Sequence, residues 1–171
     1  MADFTRNIVL IGMPGVGKSS AGVILAKRLN MNFIDTDIYI QQQTGQSLHN
    51  LIASSGLKAF CDLEADLITK LNVNNHVIAT GGSVVYGNNA MQHLKKNGMV
   101  LWLDLPYSQL AERLDDLDAR GVVMEPRQSL EQLYNCRRPF YEKYAALRID
   151  TNALNVDKVV TLITKIITAY Q

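Results

Sequence analysis

Eight consecutive residues constrain this chain more than any other feature: Gly12-Met13-Pro14-Gly15-Val16-Gly17-Lys18-Ser19. They match the spacing G-x-x-x-x-G-K-[ST], with the apolar run Asn7–Ile11 just before and a helical pattern just after. A strand that turns through glycines into a helix presents unpaired backbone N–H groups. Together with the positive end of the helix dipole, these form a cradle for phosphate oxygens. Lys18 adds a point charge suited to β- and γ-phosphates, and the Ser19 hydroxyl is a hard oxygen suited to Mg²⁺. The competing reading, an ordinary strand–turn–helix that happens to carry glycines, explains neither Lys18 nor Ser19. The expectation is a bound nucleoside triphosphate with contacts on Gly12, Gly15, Val16, Gly17, Lys18, Ser19 and Ser20.

The rest of the chain alternates in the same way. Strands are expected at Asn7–Ile11, Asn32–Ile34, His76–Ala79, Met99–Leu103 and Leu147–Asp150, as near-continuous apolar runs covered on both faces. Helical periodicity marks Lys18–Leu29, Leu57–Leu71, Ala90–Lys96, Tyr107–Leu117, Leu130–Tyr144 and Val156–Ala169. Such alternation predicts a three-layer α/β fold around a parallel sheet. At 171 residues, without repeat or linker, one domain over 1–171 is expected. The polar stretch Asp115–Arg127, with Gly121 and Pro126, reads as a loop.

Composition narrows the partners. Seventeen Lys and Arg against sixteen Asp and Glu leave no basic footprint for nucleic acid. No apolar run reaches membrane-spanning length, and the first residues lack a signal-peptide pattern, so a cytoplasmic protein is expected. Cys61 and Cys136 make no disulfide framework or zinc spacing, and His49, His76 and His93 are scattered as surface or loop residues.

Two sites compete for the carboxylate that would support a metal. Asn32-Phe33-Ile34-Asp35-Thr36-Asp37 carries two acids that an extended chain would point the same way. Val100-Leu101-Trp102-Leu103-Asp104 carries one, which a strand-end turn or helix cap would equally explain. Asp35 and Asp37 are preferred, one for a metal-bound water and the other to accept an alcohol proton. Two charges then fall on inward helix stripes: Glu64, among Leu57, Phe60, Cys61, Ile68 and Leu71, and Arg137, among Leu130, Leu133, Tyr134, Tyr141 and Tyr144. They could pair in the core, but lining a polar pocket is preferred, with Arg137 binding an anionic group. Five of eight arginines fall between positions 113 and 138, and Arg120, beside Gly121, best suits a cation that closes on a triphosphate. Trp102 and the tyrosines suggest only core packing.

These elements together resemble the shikimate kinase family, within the small nucleoside-monophosphate-kinase-like P-loop enzymes. The resemblance runs through the Gly12–Ser19 loop, Asp35-Thr36-Asp37, Thr44-Gly45-Gln46-Ser47, Phe60 with Glu64, and Ala79-Thr80-Gly81-Gly82. It continues through Leu101-Trp102-Leu103-Asp104, Arg120, Arg137 with Pro139 and Tyr141, and Ile149-Asp150-Thr151-Asn152. It implies a three-layer α/β/α P-loop kinase with a central five-stranded parallel sheet and a lid near 115–127. It also implies ATP- and Mg²⁺-dependent transfer of a phosphoryl group to the 3-hydroxyl of shikimate, a step of aromatic amino acid biosynthesis; separately, a monomer is expected. By resemblance, Ser19 ligates Mg²⁺ and Asp35 holds it through water, while Lys18, Asp37 and Arg120 are catalytic. Asp37, Cys61, Glu64, Gly81, Gly82 and Arg137 line the acceptor site, and Arg113 and Asn152 neighbour adenine.

Three departures bear on the acceptor. The family's Gly-Glu-x-x-Phe-Arg motif is Gly56-Leu57-Lys58-Ala59-Phe60-Cys61 here, so a substrate-carboxylate arginine is replaced by Cys61. The third glycine of the Gly-Gly-Gly element is Ser83, and the lid Arg-Pro-Leu-Leu is Arg120-Gly121-Val122-Val123. Lys58 or Arg138 could supply the missing charge. Alternatives are a same-fold kinase for another small hydroxylated acid or sugar acid, and a silent nucleotide-binding regulator.

Overall fold

Asn7–Ile11 (β1) forms the middle of a five-stranded parallel sheet, in a computed structural model that describes residues 6–114 and 122–170. His76–Ala79 (β3) and Gly98–Asp104 (β4) flank it, and Asn32–Asp35 (β2) and Leu147–Asp150 (β5) form the edges. β1 is fully buried, and β4 nearly so, as apolar runs between two helical layers must be. The edge strands depart from the expected two-sided burial. β2 and β5 carry exposed or half-exposed residues because each pairs on one side only.

Lys18–Leu29 (α1) starts directly from the glycine loop. It packs with Val156–Ala169 (α7) and against β2 and β3. Asn88–Asn97 (α4) and Leu130–Tyr144 (α6) lie on β4, and Leu48–Lys70 (α3) packs on α4. Tyr107–Arg113 (α5) is shorter than the periodicity predicts among the described residues, which end there at Leu114. Thr36–Thr44 (α2) is a helix that the pattern does not announce, because only Thr36 and Ile40 are buried in it. The long α3 likewise begins nine residues before the expected Leu57, at a Ser47 cap whose hydroxyl accepts from the Asn50 N–H at 3.2 Å. No helix among the described residues is long and apolar enough to cross a membrane.

In a parallel sheet of this order the chain runs from β1 toward one edge and from its neighbour β3 across to the other side, and a crevice opens at the carboxyl ends of these strands. The Gly12–Ser19 loop leaves β1 there, Asp35 ends β2, Thr80 follows β3 and Asp104 ends β4. The register pairs Asp35 with Ala79, which sets the acid-bearing turn beside Thr80-Gly81-Gly82. Thr36 Oγ1 accepts from the Gly81 N–H at 3.0 Å and locks the two turns together.

Within α3, Gly56 has φ 82° and ψ 165°, where a side chain is strained although open space surrounds it. Gly56→Ala is expected to lower unfolding free energy by about 1–3 kcal/mol. A urea titration reads this as a lower midpoint with an unchanged slope.

Candidate active site

The glycine loop is shaped by its backbone before any side chain is considered. Gly12 has φ 146° and lies so close to β4 that a Cβ there would sit 2.5 Å from the Leu103 carbonyl oxygen. Gly17, at φ 100°, caps α1 with no side-chain hydrogen bond, so the first N–H groups of the helix remain available to an anion. Val16 turns its side chain into the core, so only its backbone faces the loop, where its N–H donates to the Met13 carbonyl at 3.3 Å.

Lys18 Nζ donates to the carbonyls of Gly12 and Met13, both at 2.8 Å. Burial lowers its pKa to about 8, against the opposing pull of Asp37. Ser19 Oγ donates to Asp35 Oδ2 at 2.5 Å, and Asp35 Oδ1 caps α2 by accepting from the Asp37 N–H at 3.0 Å. The two acids are therefore not alternate residues of one extended strand, as the sequence suggested. Asp35 ends β2 and Asp37 sits in the first turn of α2, yet both reach the cleft. A hydroxyl and a carboxylate in contact are the hard oxygens Mg²⁺ takes, with phosphates and waters completing its shell. Among the described residues, no three His, Cys, Asp or Glu side chains converge into a metal cage. Asp104 is committed elsewhere: it accepts from Arg148 at 2.6 Å and Arg138 at 3.5 Å, so it is neither a cap nor a free carboxylate.

The cleft has a volume of about 450 Å³, and beyond the loop it is lined by Asp37, Thr80–Ser83, Arg113 and Arg137. Its far half holds two buried charges. Glu64 is 1% exposed and Arg137 fully buried, and no ion pair joins them. Ser83, standing where a third glycine would be, donates to Glu64 Oε2 at 2.6 Å, which leaves Oε1 without a partner. Arg137 Nε donates to the Tyr86 hydroxyl at 3.2 Å and Nη2 to the Val123 carbonyl, which leaves Nη1 without a partner. Gly81 lies against one orphan and Gly82 against the other. A Cβ at Gly81 would meet Asp37 Oδ1 at 2.6 Å and Glu64 Oε1 at 2.9 Å, and one at Gly82 would meet Arg137 Nη1 at 2.6 Å. Burial raises Asp37 to about 6, with Asp35 adding to it, and raises Glu64 to about 7.

The structure thus brings together Lys18, Ser19, Asp35, Asp37, Gly81, Gly82, Glu64 and Arg137. Asn152 accepts from Gln109, which ties its turn to the helix carrying Arg113. Arg120 lies outside the described residues. Cys61 stands near the acceptor half, but neither candidate replacement joins it. Lys58 pairs with Asp62 in solvent, and Arg138 stacks over Trp102 and Tyr134. Three positioning groups escaped the sequence reading: Tyr86, the Val123 carbonyl, and Tyr141, whose hydroxyl donates to the Gly82 carbonyl at 3.0 Å. Tyr141 lies one turn after Arg137, so the stripe pointed at it, but its hydroxyl went unread beside its ring.

The shikimate kinase family model matches residues 14–168. The chain is 36% identical to a shikimate kinase of Thermodesulfovibrio yellowstonii over 163 residues, covering 94% of each chain. It is 37% identical to one of Clostridium botulinum, covering 95% of this chain and 97% of that one. Among solved structures, shikimate kinase from Acinetobacter baumannii in complex with shikimate superposes with a TM-score of 0.90 at 27% identity, covering 99% and 96% of the two chains. Thymidylate kinase from Candida albicans, at 15% identity and a TM-score of 0.67, shares the fold.

The raised carboxyl of Glu64 makes stability depend on pH. The folded protein holds a proton up to about 7 that an ordinary glutamate releases near 4.5. Folding stability from this group therefore falls as pH rises through that window and stays flat above it. Glu64→Gln is expected to be more stable than the parent by about 1–3 kcal/mol at pH 8, with the difference vanishing by about pH 4.5. Denaturant titrations at the two pH values measure it.

Proposed function

Because the chain belongs to the shikimate kinase family, we propose that this cleft transfers the γ-phosphoryl group of ATP to the 3-hydroxyl of shikimate, in aromatic amino acid biosynthesis. The observation that carries the assignment is the pair of buried orphans, Glu64 Oε1 and Arg137 Nη1, flanking Gly81-Gly82 across from the glycine loop. Shikimate offers the complement, a carboxylate at one end and hydroxyls along its ring.

Arg137 Nη1 takes the carboxylate in a charge-assisted hydrogen bond. Glu64 and Asp37 accept from ring hydroxyls and turn one of them toward the triphosphate. Asp37, raised toward neutrality by burial, accepts that hydroxyl's proton as its oxygen bonds to the γ-phosphorus. The bond from the γ-phosphorus to the bridging oxygen breaks, and ADP leaves. Ser19 and Asp35 would hold Mg²⁺, which would supply positive charge against the negative charge of the phosphates. Lys18 contributes a second fixed cation, and the N–H groups of the loop hold the phosphates in line. Arg113 and the Asn152 turn flank the adenine. Arg120 and a lid at 115–127 enter this reading by resemblance, as do a single cytoplasmic domain acting as a monomer and a small acid as its partner.

Purified protein with Mg·ATP is expected to release ADP when shikimate is added, and no shikimate-dependent ADP would defeat the assignment. Lys18→Ala and Asp37→Asn should each lower kcat by at least about 100-fold. Asp104→Asn, which breaks only pairs outside the cleft, should stay within about threefold of the parent.

A further inference from the structure

A second cavity of about 570 Å³ lies against the acceptor half of the cleft, between α3, Tyr86, residues 123–128 and α6. Among the described residues, Val123 alone lines both. The Arg137 guanidinium is held by two groups of the second cavity's wall, the Val123 carbonyl and the Tyr86 hydroxyl, while its unpaired Nη1 faces the Gly82 side. The anionic end of any acceptor seated on Nη1 therefore lies across one guanidinium from that wall.

The wall is apolar where it matters. Leu57, Cys61, Val123, Leu133 and Phe140 line the second cavity; of its charged residues, Lys58 and Asp62 pair with each other in solvent and Glu125 is exposed. Cys61 sits one turn before Glu64 on α3, within reach of the charges of both Glu64 and Arg137. Burial, with Glu64 adding to it, pushes its thiol up to about 11, so it meets a ligand as a small neutral hydrophobe.

We propose that the acceptor site extends past Val123 into this second cavity, with Cys61 and Val123 as specificity-determining residues that admit a short apolar substituent on the acid end of the acceptor. The extension rests on the shikimate-phosphorylating reading and deepens it. An acceptor whose carboxyl carries an alkyl amide keeps its hydroxyls for Asp37 and Glu64 and buries its chain beyond Val123. Each methylene so buried is worth up to about fourfold in kcat/KM.

The test compares three acceptors by ADP release: shikimate, its primary carboxamide and its N-propyl carboxamide. The two amides share the loss of the anion, so their ratio isolates the chain. The propyl amide is expected to exceed the carboxamide about three- to tenfold in kcat/KM. Cys136→Trp, at an exposed residue lining the second cavity, should bring the ratio of propyl amide to carboxamide down to about one. Cys61→Arg should abolish the gain while lowering the KM for shikimate. A propyl amide tenfold or more worse than the carboxamide, or a gain that survives both variants, overturns the extension while shikimate turnover stands. Absence of turnover with shikimate itself defeats the functional reading instead, and the extension with it.

Discussion

Two ionisable side chains, Glu64 and Arg137, are buried in this protein without pairing with each other, and the acceptor half of the cleft is built around that fact. A guanidinium out of water is tolerated only where its donors find partners. Arg137 meets this with the Tyr86 hydroxyl, the Val123 carbonyl and the face of the Tyr86 ring 5.3 Å away. Glu64 meets it with Ser83 and by favouring its protonated form. Each is left one atom short. No ion pair joins them; Glu64 Oε1 lies against Gly81 and Arg137 Nη1 against Gly82. In the function proposed above, an acceptor that supplies the complementary groups relieves the remaining unfavourable energy.

The nucleotide half is organised by the opposite logic, with its groups satisfied in advance. Lys18 is held by loop carbonyls, Ser19 by Asp35, and Asp35 in turn caps α2. Little reorganisation is then needed when phosphates arrive, which is what makes electrostatic stabilisation effective. The halves are coupled through the sheet. β2 and β3 lie side by side, so the Asp35–Asp37 turn and the Thr80–Gly82 turn share the Thr36–Gly81 hydrogen bond. A shift in one turn is felt in the other.

Much of this was legible in the sequence because it rests on local chemistry. The strands announced themselves by β-branched runs, and the loop by glycines at fixed offsets before Lys18 and Ser19. Glu64 and Arg137 stood out as charges on apolar stripes. What escaped is equally physical. α2 buries too few residues to show a helical period, and the first turns of α3 precede a glycine that interrupts the pattern. Tyr86 and Tyr141 look like packing residues until their hydroxyls are seen on Arg137 and Gly82. Asp104 resembled a site carboxylate because strand ends often carry one, and only β5 brings the arginine that claims it.

By itself the sequence determined the parallel α/β architecture, the phosphate loop and the set of acids and arginines available to chemistry. Each of these follows from periodicity, backbone freedom or charge along the chain. Only the tertiary structure decided how those residues meet. It left Glu64 and Arg137 unpaired beside Gly81 and Gly82, sent Arg138 to Trp102 and Lys58 to solvent, and put Val123 in the lining of two cavities. These outcomes depend on contacts between residues distant in the chain, and no local pattern encodes which partner a buried charge will find.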